Sequence, residues 1–414
     1  MKRGDTAVEE DEKDGEVLTW QETGGSVLKY NIRQLHVFGV WPLPGSAPFH
    51  AYTVLVSAIG LAGLAQDLAG VCACWGDLQE VTMALIHILS VSSGFVKLAF
   101  FVRRRRHFNA LVRRTDRLVA AQGHFCDADA TLRATFRASH RKAVYVTLLA
   151  YGYLSVQGVI WLPLPLIAHP GERRLPFMQM PAAATASVYV YALLYSLQCL
   201  SSMFVTFVGV TVDCFFAVVM IHTAVQFRIL NTRISALRAD AAVPVDTGTA
   251  VGGQTSEHDS LYKQLCQCIQ THQRLLRFVT YLDSVMNPIA MTQFTFGVIV
   301  VGITLFQASY SPSSSTMFKC VTWLPMPSTQ IFLYCWGAHD IMDEGQSVSR
   351  ALYSCGWVDA PPGFKRALRL VMSCAQRPIS LTAGRVYAIN RATFISLMNA
   401  AYSYYTLLRQ FNSR

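Results

Sequence analysis

Residues 78–106 read LQEVTMALIHILSVSSGFVKLAFFVRRRR. Twenty-five mostly apolar residues are followed at once by four arginines. A helix needs roughly 20 apolar residues to cross a bilayer, and an arginine cluster at one end marks the side that stays in the cytoplasm. This stretch predicts a membrane span and its direction.

Working outward from it, six more apolar runs predict spans at about 47–67, 143–167, 186–222, 284–309, 317–337 and 392–411. The run from 186 to 222 is too long for one upright crossing, so a tilted helix projecting into water is expected. Pro325 and Pro327 are expected to kink the sixth span. Alternate connections differ sharply in charge. The stretches 102–142, 223–282 and 338–380 hold eleven, six and five Lys or Arg. The other connections hold none (68–77), two (Arg173, Arg174) and one (Lys319). The basic connections are expected in the cytoplasm. The expected fold is therefore an all-α membrane protein of seven transmembrane helices, N-terminus inside and C-terminus outside. No apolar run starts before about residue 47, so no secretory leader is expected.

The composition agrees: 52% of the 414 residues are hydrophobic and 14% charged, against about 25% charged in soluble domains. The net charge of +10 sits in connections between spans and does not imply nucleic acid. The organisation expected is a cytoplasmic segment (1–46), spans one to four (47–222), cytoplasmic helices with a linker (223–283), spans five and six (284–337), a cytoplasmic helical anchor (338–391), and the last span with a short tail (392–414). Leu261, Leu265, Ile269, Leu275, Leu276 and Val279 recur at helical spacing, as do Phe364, Leu368, Val371 and Met372. These amphipathic helices want partners. The stretch Ala239 to Ser256 reads as a flexible linker.

Eleven cysteines are scattered, and the close pairs Cys72/Cys74 and Cys266/Cys268 lack zinc-site spacing, so no metal is expected. No catalytic motif appears, and neither enzyme activity nor a cofactor is expected. Asp213, inside the fourth run, is read as structural. Lys97 is expected to snorkel and Asp67 to be solvated at a helix mouth. In the outer halves of the spans, Met83, Ile86 and His87, then Ser155, Gly158 and Trp161 at three-residue spacing, then Tyr191, Tyr195 and Gln198, then Trp323 and Met326, are candidates for lining an aromatic pocket. Such a pocket suits a small hydrophobic ligand.

Seven spans with the N-terminus inside exclude the G-protein-coupled receptors. The chain instead resembles the insect odorant receptors. Gly39-Val40-Trp41-Pro42 is similar to the family's entry motif, and His272-Gln273 to its His-Gln pair. Tyr334, Cys335, Gly337, Ser347, Ala351, Tyr353 and Trp357 follow its spacing. Gln376-Arg377-Pro378 with Leu381-Thr382-Ala383-Gly384 is the most specific stretch, and Ser403-Tyr404-Tyr405-Thr406-Leu407-Leu408 matches its closing pattern. Tyr404 with Gln410-Phe411 also resembles the signature of the sister gustatory receptors. A multi-span transporter is the alternative from another class; no internal repeat supports it. The long insertion of the family's obligate co-receptor is missing between spans four and five.

The resemblance implies an odorant-gated, non-selective cation channel subunit that works with a co-receptor in a tetramer. It implies the plasma membrane of olfactory neuron dendrites as its location, with lipid around the spans. It also implies a gate on the last helix at Leu407, Gln410 and Phe411. Arg409 is expected to face away from the ion path.

Overall fold

The computed structural model describes residues 14–41, 47–76, 78–168, 171–180, 187–237, 253–310 and 314–412. Pro42, most of the expected linker and the acidic start of the chain lie outside these. Two short helices, α1 (Trp20–Gly25) and α2 (Lys29–Val37), lead to α3 (Ala47–Ala73) and α4 (Leu78–Arg103). Next come α5 (Arg105–Ala128), α6 (Ala130–Trp161), the short α7 (Leu164–Ala168) and α8 (Val188–Ser235). The chain continues as α9 (Gly253–Tyr310), α10 (Ser314–Trp323), α11 (Pro325–Ser354) and α12 (Pro362–Ala375). A two-strand hairpin, β1 (Thr382–Ala383) and β2 (Tyr387–Ala388), precedes the last helix α13 (Arg391–Asn412).

Among the described residues, five helices are long and apolar enough to cross a membrane: α3, α4, α6 with α7, α8 and α9. The sixth expected span is divided at Leu324 into α10 and α11. Pro325 opens α11, where a missing N–H costs nothing. The last helix carries enough polar residues to fall short of the same apolar measure.

α8 is the axis of the bundle. Its 48 residues make a rod of roughly 72 Å at about 1.5 Å per residue, over twice the hydrocarbon thickness of about 30 Å. Its apolar window is almost wholly buried by protein, because α3, α4, α6, α9 and α11 pack around it. The tilted, projecting helix expected from the sequence is a single element. The segment 261–282 and the fifth span, expected as two elements, are one helix, α9. No helix breaker separates them, and Pro288 lies within the continuous helix. Where α4 crosses α8, a Cβ on Gly94 would stand 2.4 Å from Val205 Cγ1 and 3.0 Å from its carbonyl. Glycine there permits the close approach.

Two expectations about charge are corrected. Lys97 does not snorkel. It is 1% exposed and donates to both oxygens of Asp213 at 2.8 and 2.7 Å. Asp213 also accepts from Gln330 Nε2 at 2.8 Å and from the Tyr334 hydroxyl at 2.9 Å. A charge buried this deeply is tolerated because every neighbour offers a donor. Asp213 is thus structural, as read, and joins α4, α8 and α11. Asp67 is not solvated either. Helix α3 runs beyond the predicted end of the first span, so Asp67 is 2% exposed and faces His87.

The motif residues turn out to be joints. Trp41 is buried against Phe101 and Phe215. Thr382 accepts from Asn287 Nδ2 at 2.6 Å and offers its own N–H to Asp283 at 2.6 Å. That fixes the hairpin onto α9 just before Pro288. Gly384 has φ +62°, a left-handed turn that L side chains rarely adopt, and a Cβ there would press on Met291 at 3.0 Å. Asn390 then caps α13 by accepting from Thr393 N at 2.9 Å.

Candidate functional site

The cavities of interest lie at the end of the bundle opposite the Arg103–Arg106 run. The start of α4 presents Met83, Ile86 and His87 at i, i+3, i+4 spacing on one face. The end of α6 supplies Gly158 and Trp161, and the α10–α11 junction supplies Trp323 and Met326. These seven residues line cavities of about 190, 50 and 50 Å³ that share walls at Trp323, Trp161 and His87. A row of rings forms the common wall. His87 stacks on Phe177 at 4.4 Å, Phe177 on Trp161 at 6.2 Å, and Trp161 meets Trp323 at 5.4 Å. Trp161 is oriented by its Nε1–H, which donates to Thr322 Oγ1 at 3.2 Å. A Cβ on Gly158 would meet only Met203 Cε, at 4.0 Å, so this glycine leaves open room.

Ser155, Tyr191, Tyr195 and Gln198 line none of these cavities. Ser155 is exposed and bonded to the carbonyl of Tyr151. The hydroxyls of Tyr191 and Tyr195 donate to the carbonyls of Arg174 and Leu162. Gln198 is fully buried; its Nε2 donates to Met178 O at 3.0 Å and its Oε1 accepts from Phe177 N at 3.3 Å. These α8 residues hold Leu162 and the stretch 174–178, which closes the largest of the three cavities and carries Phe177.

Sequence spacing missed Phe177, because it lies in a connection with no helical register. It also missed the polar groups of the wall. His87 Nε2 stands 3.3 Å from Asp67 Oδ2 and 3.2 Å from Ser202 Oγ. Its other nitrogen, Nδ1, has no partner, and neither do Trp323 Nε1 and Gln157 Nε2. Arg174, Lys319 and Glu80 stand at the wall of the largest of these three cavities. No group of three metal-ligating side chains exists among the described residues.

The second candidate region is α13. Gly302 of α9 lets α13 approach: a Cβ there would lie 3.1 Å from Ala401 O. Ala401 is buried on this side. The opposite face is uncovered and carries Asn399, Ser403, Thr406 and Gln410, spaced by four, three and four residues. Leu407 and Phe411 flank this polar stripe at 48% and 68% exposure. Arg409 is held to the Tyr405 hydroxyl at 3.5 Å, which also accepts from Ser309 of α9 at 3.1 Å. It is thereby drawn toward α9.

The model of the 7tm Odorant receptor family matches residues 77–402. The chain belongs to this family. It is an odorant receptor, a multi-pass membrane receptor and not an enzyme. Among its relatives, odorant receptor Or2 of Anopheles gambiae is 23% identical over 81% of this receptor and 86% of its own length. Odorant receptor 22c of Drosophila melanogaster is also 23% identical, over 91% and 94%. The fold matches the olfactory receptor OR5 of Machilis hrabei with a TM-score of 0.74 and 19% identity, over 92% of this receptor and 97% of that chain. OR5 in complex with eugenol matches with a TM-score of 0.76 and 17% identity, over 93% and 97%. The match settles the family between the odorant receptors and the sister gustatory receptors, and it sets the transporter reading aside.

Proposed function

We propose that this receptor is the ligand-binding subunit of an odorant-gated, non-selective cation channel. Its basic connections face the cytoplasm, and it assembles with a co-receptor in a tetramer in the plasma membrane of olfactory neuron dendrites. The observation that carries the reading is the uncovered polar stripe of α13. In a lone subunit, a helix that turns Asn399, Ser403, Thr406 and Gln410 away from its own bundle would offer them to lipid, which is costly. Around a central axis the same stripe lines a wetted path. Leu407 and Phe411 then form apolar rings that gate by dewetting.

The ligand enters the ring-lined cavity among α4, α6, the 174–179 segment and the α10–α11 junction. Met83, Ile86, His87, Gly158, Trp161, Trp323 and Met326 are the contact residues, together with Phe177. Tyr191, Tyr195 and Gln198 position the closing segment, and Ser155 takes no part. The small volume and aromatic wall support a small hydrophobic ligand. The unpartnered nitrogens of His87, Trp323 and Gln157 add one requirement: a ligand oxygen that can satisfy one of them gains over a hydrocarbon of equal shape. Binding shifts the channel only as far as the ligand prefers the open state, and the α10–α11 junction, lined by Trp323 and Met326, links the cavity to α11, which packs against α13.

The test is electrical. Cells expressing the chain with an odorant receptor co-receptor are exposed to an odorant panel while current is recorded. Odorant-dependent cation current supports the reading, and its absence despite confirmed surface delivery refutes it.

A further inference from the structure

A cavity larger than those three lies away from the odorant end. It has a volume of about 610 Å³ and is lined by Gly15, Glu16, Val17, Arg105, Arg106, His107, Asn109, Ala110 and Tyr281. That size falls within the roughly 300–1,000 Å³ of small-molecule sites. Its depth is fixed by the chain: the exposed apolar Val102 ends the lipid-facing run of α4, and Arg103–Arg106 follow directly. The cavity therefore lies where headgroups meet hydrocarbon.

Its polar groups are arranged for an anion that also carries hydroxyls. Arg105 and Arg106 have no hydrogen-bond or ion-pair partner among the described residues, and neither has the neighbouring Arg103. Nearby arginines are occupied. Arg104 donates to Ser284 O at 3.1 Å, and Arg113 donates to the carbonyls of Asp14 and Glu16 at 3.1 and 3.0 Å. The carboxylate of Asp14 is already taken by Arg114 and Arg117. Asn109 is 2% exposed; its amide nitrogen reaches Gly15 O at 3.5 Å, while its Oδ1 has no partner. His107 Nδ1 lies 3.2 Å from the Tyr281 hydroxyl. Glu16 is the one acid in the wall, and its carboxylate, like Asn109 Oδ1, is an acceptor open to a ligand hydroxyl.

From this geometry we infer that the cavity beside Arg105, Arg106 and Asn109 binds the phosphorylated inositol headgroup of a membrane lipid. The guanidinium groups take the phosphates, and Asn109 Oδ1 takes a ring hydroxyl. A basic cluster directly beside a span is the usual place for such lipids. The site joins the 15–17 segment, α5 and α9, so an occupied headgroup braces α9 below its spanning part. That the lipid comes from the cytoplasmic leaflet rests on the orientation given under Proposed function; the binding itself does not.

The experiment uses the full chain in nanodiscs, where both leaflets are accessible and no channel activity is needed. Discs contain phosphatidylcholine alone, with phosphatidylserine at matched charge, or with phosphatidylinositol 4,5-bisphosphate, and binding is read by native mass spectrometry and by titration with a fluorescent short-chain analogue. Arg105→Gln/Arg106→Gln should weaken binding of the bisphosphate lipid about 25-fold, roughly fivefold for each cation removed near the surface. Asn109→Leu should weaken it while leaving any phosphatidylserine binding unchanged. Arg366→Gln/Arg369→Gln, an equal charge change at exposed positions of α12, should have less than a twofold effect. Equal losses in both arginine pairs would mean diffuse attraction and overturn the assignment, as would unchanged binding in the first pair. Free inositol trisphosphate bound as tightly as the lipid would overturn the membrane source. Failure of odorant currents with intact lipid binding would count against the channel reading alone.

Discussion

Lys97→Met keeps the length of the side chain and deletes its charge. In the native packing the Asp213 carboxylate accepts four hydrogen bonds, two from Lys97, one from Gln330 and one from Tyr334. The substitution removes half of them and the only countercharge, with no water to replace them, since Asp213 is 1% exposed. Breaking one partner of a buried pair costs about 3–5 kcal/mol. The two remaining donors place this case near the low end, at about 3 kcal/mol, or roughly 150-fold in the folded population. Asp213→Asn alone leaves the ammonium buried and should cost a similar amount. The double variant Lys97→Met/Asp213→Asn removes both charges, and its amide can still meet Tyr334 and Gln330. It should lose only about 1 kcal/mol, because replacing a whole buried pair is far cheaper than breaking it. The assay is apparent melting temperature by fluorescence-detected size exclusion in detergent, with surface biotinylation alongside. The double variant should melt well above either single one. A double variant as unstable as the two singles summed, or a Lys97→Met chain that melts like wild type, would refute the ion-pair account of this crossing.

Four further outcomes follow from the sites. Leu407→Gln should raise odorant-independent current several-fold by wetting the apolar ring, measured as holding current beside the co-receptor; an unchanged leak removes Leu407 from the gate. Gly158→Leu fills the space below Met203 and should abolish responses to the bulkiest active odorants first, shifting their half-maximal concentration at least about tenfold, at 1.4 kcal/mol per decade. A uniform shift across ligand sizes would contradict that. His87→Leu should selectively weaken responses to ligands with an accepting or donating oxygen and spare hydrocarbons, by about 1 kcal/mol for a lost hydrogen bond. Gln198→Leu cuts the two bonds that hold Phe177 and Met178, each worth roughly 0.5–1.5 kcal/mol. Deactivation after odorant washout should quicken, and identical washout kinetics would show that the closing segment is not held from α8.

The fold could be read from the sequence wherever the signal is local. Long apolar runs and the arginines after α4 locate the spans, and the prolines at 325 and 327 mark the break between α10 and α11. The continuity of α9 was hidden because its amphipathic and apolar parts obey different patterns, although nothing between Leu282 and Val285 ends a helix. The pairs Lys97–Asp213 and Asp67–His87 lie 116 and 20 residues apart, and no periodicity connects them. The pocket follows the same rule. Ser155, Gly158 and Trp161 share one spacing on α6, yet only the last two reach a cavity. Tyr191, Tyr195 and Gln198 share a face too, but α8 turns that face to the returning chain. Which surface a helix shows to a cavity is decided by its neighbours, and Phe177 arrives on a segment with no register at all.

The polar composition of α13 has a consequence for how the protein is made. Helices leave the insertion machinery for lipid according to their own apolar content, and polar residues such as Asn399, Arg409 and Gln410 oppose that step. α3, α4, α6, α8 and α9 meet the requirement unaided. α13 does not, and neither do α10 and α11. The stable residence of α13 in the bilayer then depends on Gly302 and the face of α9 on one side and, in the proposed channel, on neighbouring subunits on the other. A subunit made without companions should stall at this step and be retained in the early secretory pathway, so that assembly itself licenses export.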